Sequence, residues 1–302
     1  MFIQMLGSAA GGGFPQWNCA CRQCGRARSG DPSVRPRTGD SLAVSPDGKS
    51  WALLNASPDV CLQTELRAPL RPGPVLRGSP IRAVLLTDAE LDHTIGLLQL
   101  RLSSGLEVYA APPVLRALED AFPVRRMLGS YGEIRWSEAR PGDSFPLFGG
   151  QLTICPFDLG GKPPRYVPTN PQEKKEAWAV GYRVTDRTTG GVAVYAPGVE
   201  SWSRPLEEHL EGADAVFLDG TFWRGDELRD LGASELDAAD MGHLPVAGPH
   251  GSAERFARMP TRRKIYTHIN NTNPMLDERS PERRLLAELG IEVGYDGLEM
   301  EV

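Results

Sequence analysis

Short apolar runs that end at polar residues recur along the chain, and each predicts a buried strand that leads into a loop. The clearest runs cover residues 83–86, 213–218 and 264–267. After the first run and its charged loop, apolar residues return at helical spacing between Ile95 and Leu100. Strands that alternate with helices in this way predict an α/β fold, whose ligands bind where the strands end.

The remaining pattern predicts further elements. We expect a first strand over residues 1–6 and a long loop over 160–176, which contains Tyr166 and is typical of a lid or binding loop. Two hairpins are predicted from alternating segments, at 42–44 with 51–54 and at 179–184 with 191–196. Single strands are predicted at 107–110 and 152–156, and helices at 113–122, 205–210, 252–259 and 282–289.

The loop after the first clear run holds three carboxylates and a histidine within six residues: Asp88, Glu90, Asp92 and His93. Neighbouring carboxylates repel one another unless a cation or a shared proton holds them, so a metal site is predicted here. A calcium loop of the EF-hand type is excluded, because its sixth position would be His93 and its twelfth Gln99. Acids also favour a helix N-terminus, but that alternative leaves the histidine unexplained.

Two other strand ends carry the same kinds of residue. The runs at 213–218 and 264–267 end at Asp219 and at His268. Each histidine by itself is also compatible with a structural role. Because strand ends at one sheet edge lie side by side, we expect these residues to converge with Asp92 and His93.

Cys19, Cys21 and Cys24 lie within six residues, and this spacing predicts a structural, tetrahedral zinc site with a fourth ligand from elsewhere. The other two cysteines, Cys61 and Cys155, stand in apolar surroundings and are predicted to be small buried residues. An odd total of five cysteines fits a reducing compartment better than a disulfide framework.

The composition is that of a soluble globular protein: 302 residues, 40% hydrophobic and 24% charged. A net charge of −6 disfavours a nucleic-acid partner. No apolar run is long enough for a membrane span, and the first six residues lack the basic and apolar regions of a signal peptide. We therefore expect a cytoplasmic protein without a membrane partner.

These features together resemble the metallo-β-lactamase superfamily. Residues 87–93 are similar to its T-H-x-H-x-D-H motif, with Asp88 and Glu90 in place of the two leading histidines. The order of that loop, Asp219, Gly242-His243 and Thr267-His268 resembles the branch that contains ribonuclease Z and the phosphonate-pathway cyclic phosphodiesterase.

The glycine-rich segment 7–13, the cysteine cluster and residues 218–223 narrow the resemblance to the coenzyme PQQ (pyrroloquinoline quinone) biosynthesis protein B family. The family implies a four-layer αββα sandwich, formed by residues 1–302 as one domain. Within that domain, the cysteine-rich zinc-binding loop spans about residues 15–30.

The resemblance also implies a site that holds one metal ion. The missing histidines remove one of the superfamily's two metal sites, while Asp92, His93 and His268 preserve the other, with Asp219 as a further ligand or an orienting residue. Two histidines and a carboxylate suit Fe(II), and zinc also fits. His243 is expected to be the general acid or base.

Asp88 and Glu90 are expected to bind the substrate amino group or to move protons. Hydrogen bonding to loop amides is the open alternative for both. Relatives place a histidine zinc ligand where this chain has Asn271, so either its amide oxygen, water or another residue such as His250 completes the cysteine site. His209, among glutamates, is taken as a solvated surface residue.

The implied function is PQQ biosynthesis, through iron- and O2-dependent hydroxylation of the tyrosine-derived ring of a Glu-Tyr peptide intermediate. The partners are thus O2 and a small peptide or amino-acid-derived precursor, whose carboxylates call for arginines that the sequence does not single out. A mononuclear zinc hydrolase and a non-catalytic PQQ carrier involved in transport are the alternatives. A homodimer is a further option.

Overall fold

Two seven-stranded sheets form the centre of the fold in the computed structural model, which describes residues 1–74, 76–168 and 176–302. The first sheet consists of β1 (Phe2–Gly7), β2 (Ser41–Ser45), β3 (Trp51–Leu54), β4 (Ile81–Leu85), β5 (Leu106–Ala110), β6 (Ile134–Glu138) and β14 (Glu299–Glu301). Their spatial order is β14-β1-β2-β3-β4-β5-β6. The sheet is antiparallel from β14 to β3 and parallel from β3 to β6.

The second sheet repeats this mixed arrangement with later segments. It consists of β7 (Phe145–Leu147), β8 (Leu152–Gly160), β9 (Ala179–Asp186), β10 (Val192–Ala196), β11 (Ala215–Asp219), β12 (Arg263–Thr267) and β13 (Glu292–Val293). The spatial order is β13-β12-β11-β10-β9-β8-β7, with parallel pairing from β10 to β13. Each sheet therefore has a parallel half, where strand ends can share an edge.

Short helices connect the strands and cover the outer faces of the sheets. They are α1 (Arg22–Arg28), α2 (Val60–Leu66), α3 (Leu91–Thr94), α4 (Gly96–Gln99), α5 (Pro112–Ala117), α6 (Val124–Leu128), α7 (Arg204–Leu210), α8 (Glu227–Asp230), α9 (Ala253–Arg258) and α10 (Pro281–Glu288). None of the helices in the described part of the chain has the length and hydropathy that crossing a bilayer requires.

Alternation along the strands builds two cores. In β11, Phe217 packs into the core between the sheets, whereas Val216 and Leu218 pack into a second core. That second core also contains Leu206 of α7 and Phe256 of α9. The result is the predicted order of helices, sheet, sheet and helices. Truncation of a buried aromatic side chain such as Phe217 to alanine costs about 3–5 kcal/mol.

The ends of β4, β11 and β12 carry the candidate site. Asp219 at the end of β11 is in register with Thr267 at the end of β12. His268 follows directly and has φ of +54°, a left-handed conformation that side chains other than glycine rarely adopt. Strained backbone of this kind occurs where the surrounding structure holds a functional side chain in place.

Three local predictions were wrong. Cys61 is exposed, because α2 directs Val60 rather than its neighbour toward the core, and Cys155 is only partly buried. His209 is half-buried and stacks on Phe157, with a centroid distance of 4.2 Å, instead of standing in solvent. Strands β6, β7 and β14 were not predicted, and residues 169–175 of the predicted long loop lie outside the described residues.

Candidate metal centre and its pocket

His93 is held by the carboxylate of Asp88. Its Nδ1 lies 2.8 Å from both Asp88 oxygens, and both side chains are buried. Asp88 also accepts hydrogen bonds from the Glu90 backbone N–H (2.9 Å) and the Thr87 hydroxyl (2.7 Å). Because a carboxylate only accepts, His93 donates from Nδ1, which leaves Nε2 as the ring atom that can meet a cation.

Asp92, His93 and His268 meet at one point, as the strand-end pattern predicted. Each offers a ligand atom, and these atoms lie within 4.8 Å of one another. The Asp92 Oδ2 is 3.4 Å from the His268 Nε2 and 3.7 Å from the His93 Nε2. The two imidazole centroids are 5.0 Å apart. This is the two-histidine, one-carboxylate donor set expected from the sequence.

A threonine hydroxyl fixes the second imidazole. Thr221 donates its hydroxyl hydrogen to the Asp219 Oδ1 (2.6 Å), so its oxygen can only accept from the His268 Nδ1 at 2.8 Å. His268 therefore donates from Nδ1, and its Nε2 lies toward the Asp92 carboxylate at 3.4 Å. Orientation of ligand imidazoles by partners on their far nitrogen is the usual arrangement around protein metals.

The unsatisfied groups at this point fit a metal cation. The buried Nε2 of His93 has no hydrogen-bond partner among the described residues. Burial alone lowers the pKa of His93, but the charges of Asp88 and Asp92 outweigh it and raise that pKa to about 10. Burial opposes the charged form of Asp92 as well, yet His93 and His268 hold its pKa below the usual range. The surroundings thus favour a positive charge between these side chains, which a bound cation supplies.

A second imidazole–carboxylate pair lies on the other side of His268. The His243 Nδ1 is 2.7 Å from the Asp219 Oδ2, and the His243 ring stacks on His268 with a centroid distance of 5.2 Å. Asp219 also accepts from the backbone N–H groups of Val199 (2.8 Å) and Thr221 (3.0 Å). Burial lowers the pKa of His243, but the Asp219 charge reverses this and raises it.

Asp219, His243 and His268 form a second group of donor atoms that lie within 4.8 Å of one another. Both oxygens of Asp219 already accept hydrogen bonds, so this geometry favours its orienting role over direct coordination. Its role as a metal ligand stays a prediction.

The site opens into a pocket of about 670 Å³. Gly11 of the glycine-rich segment lies in its wall, where an added Cβ would be 3.3 Å from the Asp92 carboxylate. The glycine-rich segment therefore passes close to the metal-binding side chains. Aromatic and aliphatic surfaces, among them Phe222, Met241 and Leu159, give the pocket room for an apolar ring.

Glu90 lines the mouth of the pocket. Its side chain is exposed, unlike the buried Asp88–His93 pair. Desolvation of its carboxylate, together with the charges of Asp88 and Asp92, raises the pKa of Glu90 to about 7. It is therefore placed to meet a ligand, whereas Asp88 is committed to His93. The catalytic roles expected for both residues stay predictions.

The cysteine cluster forms as predicted, with the sulfurs of Cys19, Cys21 and Cys24 within 4.8 Å of one another. Asn271 closes one side: its side-chain nitrogen lies 3.1 Å from the Cys19 Sγ and 3.4 Å from the Cys24 Sγ. Rotation of that amide about its Cβ–Cγ bond brings its oxygen to the same side, where it could serve as the fourth ligand. His250 is exposed in a turn and is not part of this group of donor atoms.

Sequence reasoning missed Thr221 as the hydroxyl shared by Asp219, His243 and His268. A threonine two positions after a strand-end aspartate is a typical partner for that carboxylate, and this spacing was the available signal.

Comparison with known proteins agrees with the site and the fold. Residues 50–269 match the family model described as a beta-lactamase superfamily domain. Coenzyme PQQ synthesis protein B from Cupriavidus necator is 46% identical over 303 residues, which cover 99% of this chain and 98% of that protein.

Solved structures give the same result. The crystal structure of Zn(2+)-bound PqqB from Methylobacterium extorquens matches with a TM-score of 0.92 and 37% identity, and the match covers all of both chains. A diphosphatase from the PhnP family matches all of this chain and 97% of its own, with a TM-score of 0.68 and 20% identity, which shows the shared fold alone. The chain therefore belongs to the coenzyme PQQ synthesis protein B family of the beta-lactamase superfamily.

Proposed function

We propose that this protein acts in PQQ biosynthesis and hydroxylates the tyrosine-derived ring of a Glu-Tyr peptide intermediate, with O2 and with Fe(II) at the Asp92–His93–His268 site. Family membership supports the pathway. The observation that carries the chemistry is the donor set itself, because two imidazoles and one carboxylate facing an open pocket are the ligands of non-haem iron oxygenases. Iron bound there would supply the activation of O2 that protein side chains lack.

The balance of the reaction is that of a hydroxylation. One oxygen atom replaces a ring hydrogen as a hydroxyl group, and the other leaves as water with two protons and two electrons. The electrons come from an external reductant. The pocket contributes by holding the ring beside the metal site and by limiting access of water.

We assign proton transfer to His243. Its Nδ1 is committed to Asp219, and its ring lines the pocket, so Nε2 is the atom that exchanges a proton with a phenol hydroxyl. Asp219 stabilises the imidazolium that results, as carboxylate partners of catalytic histidines do. Glu90 at the mouth is expected to meet the substrate amino group.

A zinc hydrolase is the second candidate, and the Zn(2+)-bound state of the Methylobacterium relative favours it. Zinc with two imidazoles, a carboxylate and an open position is also a common hydrolytic site. The two functions predict different products from one peptide, since hydrolysis releases two amino acids and hydroxylation leaves the peptide bond intact.

The deciding experiment uses metal-free protein reconstituted anaerobically with either Fe(II) or zinc. Each sample receives Glu-Tyr and ascorbate and is then exposed to oxygen, and products are followed by mass spectrometry together with oxygen uptake. We expect a mass gain of one oxygen atom with Fe(II) only. Release of free tyrosine by the zinc form, without oxygen uptake by the iron form, would favour the hydrolase.

A matched pair of variants serves as control. His93→Ala should lose the product, whereas His209→Ala, which removes a histidine outside the pocket lining, should retain it. Equal product from both variants would contradict the role assigned to His93.

A further inference from the structure

Two cations stand in the pocket without an acidic partner. Lys162 and Arg165 follow β8, line the pocket wall and are exposed. Neither has a carboxylate within 4.0 Å among the described residues. Elsewhere in the described chain, many arginines form surface ion pairs with acidic residues, as Arg204 does with Glu208 at 3.0 Å.

The segment that carries these cations is attached to the metal-binding loop. The Tyr166 hydroxyl donates to the backbone oxygen of Ala89 at 2.5 Å, between Asp88 and Glu90 of that loop. The Tyr166 ring packs edge-on against Phe122, with centroids 6.2 Å apart. Pro164 is buried and accepts from the Val167 backbone N–H at 3.0 Å, which closes a turn. Lys162 and Arg165 are thus presented from a fixed backbone.

Lys162 is also close to the proposed proton-transfer residue. Its Cδ and Cβ lie 3.7 and 3.8 Å from the position that a Cβ on Gly242 would take, and His243 is the next residue. The aliphatic stem of Lys162 therefore lies along this backbone, which leaves its ammonium group free to reach a ligand.

The pocket lining also contains four acidic residues. Asp88, Glu90, Asp92 and Glu200 all line it, and Glu200 accepts from the Gly161 backbone N–H at 3.2 Å. Asp88 and Asp92 are paired with histidines, so Glu90 and Glu200 are the acids of this lining without a cationic partner among the described residues. Cations and acids that both lack partners in one pocket suit a ligand that carries both signs of charge. An amino-acid-derived molecule has this distribution, with an ammonium group and carboxylates held apart.

We infer that Lys162 and Arg165 bind the carboxylates of the substrate and so orient its ring toward Asp92, His93 and His268. Arg165 offers a planar fork that matches a carboxylate, and Lys162 offers a point charge beside it. Selection is thus for a small peptide with an aromatic ring and at least one free carboxylate. The hydroxylation of the ring rests on the proposed function, but the contact between these cations and the substrate carboxylates does not.

Calorimetric titration of the zinc-loaded protein with Glu-Tyr, without oxygen, tests this contact in the absence of turnover. Lys162→Gln and Arg165→Gln should each weaken binding about tenfold, since a hydrogen bond to a charged group is worth that much or more. Arg187→Gln is the matched control, because it removes the same charge from an exposed arginine outside the pocket lining and should bind as the wild type does.

A neutral ligand separates contact from general electrostatics. The diamide of Glu-Tyr, in which both carboxylates are converted to amides, should bind the wild-type protein more weakly than Glu-Tyr does. It should bind the wild type and the Lys162→Gln and Arg165→Gln variants with equal affinity. Unchanged Glu-Tyr affinity in the pocket variants, or an equal loss for the diamide, would overturn the inference.

The failure of hydroxylation is a separate result. An iron-loaded protein that binds Glu-Tyr through these cations but yields no hydroxylated product contradicts the proposed function and leaves the carboxylate contact standing. Conversely, if Lys162→Gln and Arg165→Gln leave both binding and product formation unchanged, the carboxylate contact is contradicted and the proposed function stands.

Discussion

His93 and His243 have the same local chemistry and different surroundings. Each donates from Nδ1 to a buried carboxylate, Asp88 at 2.8 Å and Asp219 at 2.7 Å. The His93 side chain is 3% exposed, and its Nε2 lies toward Asp92 with no hydrogen-bond partner among the described residues. The His243 side chain is 17% exposed and lines the pocket.

The difference shows that the far nitrogen decides the role of such a pair. A carboxylate on Nδ1 fixes the tautomer and makes Nε2 more basic in both cases. Where Nε2 meets other donor atoms, the imidazole is suited to bind a metal. Where the imidazole lines the pocket instead, it is suited to exchange a proton with a ligand.

The largest expected effect follows from removal of the buried imidazole. His93→Ala should lose one equivalent of metal per chain after dialysis, because only two strong donors remain at the site. The cysteine cluster should keep its metal, since its sulfurs belong to another segment. Elemental analysis, which gives the equivalents of each metal per chain, tests both expectations, with His209→Ala as the control.

His243→Ala should have the opposite signature. Metal content should stay at the wild-type level, while the turnover rate falls by about 10²–10⁴-fold, the usual contribution of a positioned acid or base. Steady-state oxygen uptake and elemental analysis on the same sample provide the test. Loss of metal in this variant would place His243 in the ligand set and end the distinction between the two histidines.

The convergence of the site was predictable because it depends on strand pattern. Apolar runs predicted the ends of β4, β11 and β12, and parallel register then brings Asp219 next to Thr267 and His268. The same patterns gave most of the strands and about half of the helices, whereas the two-sheet arrangement followed from the resemblance to the superfamily. It failed for Cys61, because the surrounding apolar residues do not reveal which face of a short helix is buried.

Contacts between distant segments were not predictable. The buried Asp40 binds the Tyr195 hydroxyl at 2.5 Å, and Asn55 joins that hydroxyl (3.2 Å) to the Thr87 backbone N–H (2.9 Å) below the metal-binding loop. These residues are far apart in the sequence, and each belongs to a type with many structural uses. Only the packing of one sheet on the other brings them together.

The carboxylate behind His93 gives a smaller and graded effect. Asp88→Ala should weaken metal binding about 10–100-fold, the usual result of removing such a partner. Asp88→Asn should recover part of the loss, because its amide oxygen still accepts from Nδ1. Competition with a chelator measures the affinity. Asp219→Asn in the same assay should affect the metal less, and an equal loss would show that Asp219 is a ligand.

The smallest effect is expected from Thr221, whose hydroxyl joins the two pairs. Thr221→Val keeps the shape but removes the acceptor for the His268 Nδ1 and the donor to Asp219. Loss of a hydrogen bond of this kind costs about 1–3 kcal/mol when a partner stays buried. We expect metal affinity and turnover each to fall about tenfold, measured as above, and Thr221→Ser to restore both. A valine variant with wild-type values would mean that the strained backbone at His268, rather than this hydroxyl, sets the orientation of its ring.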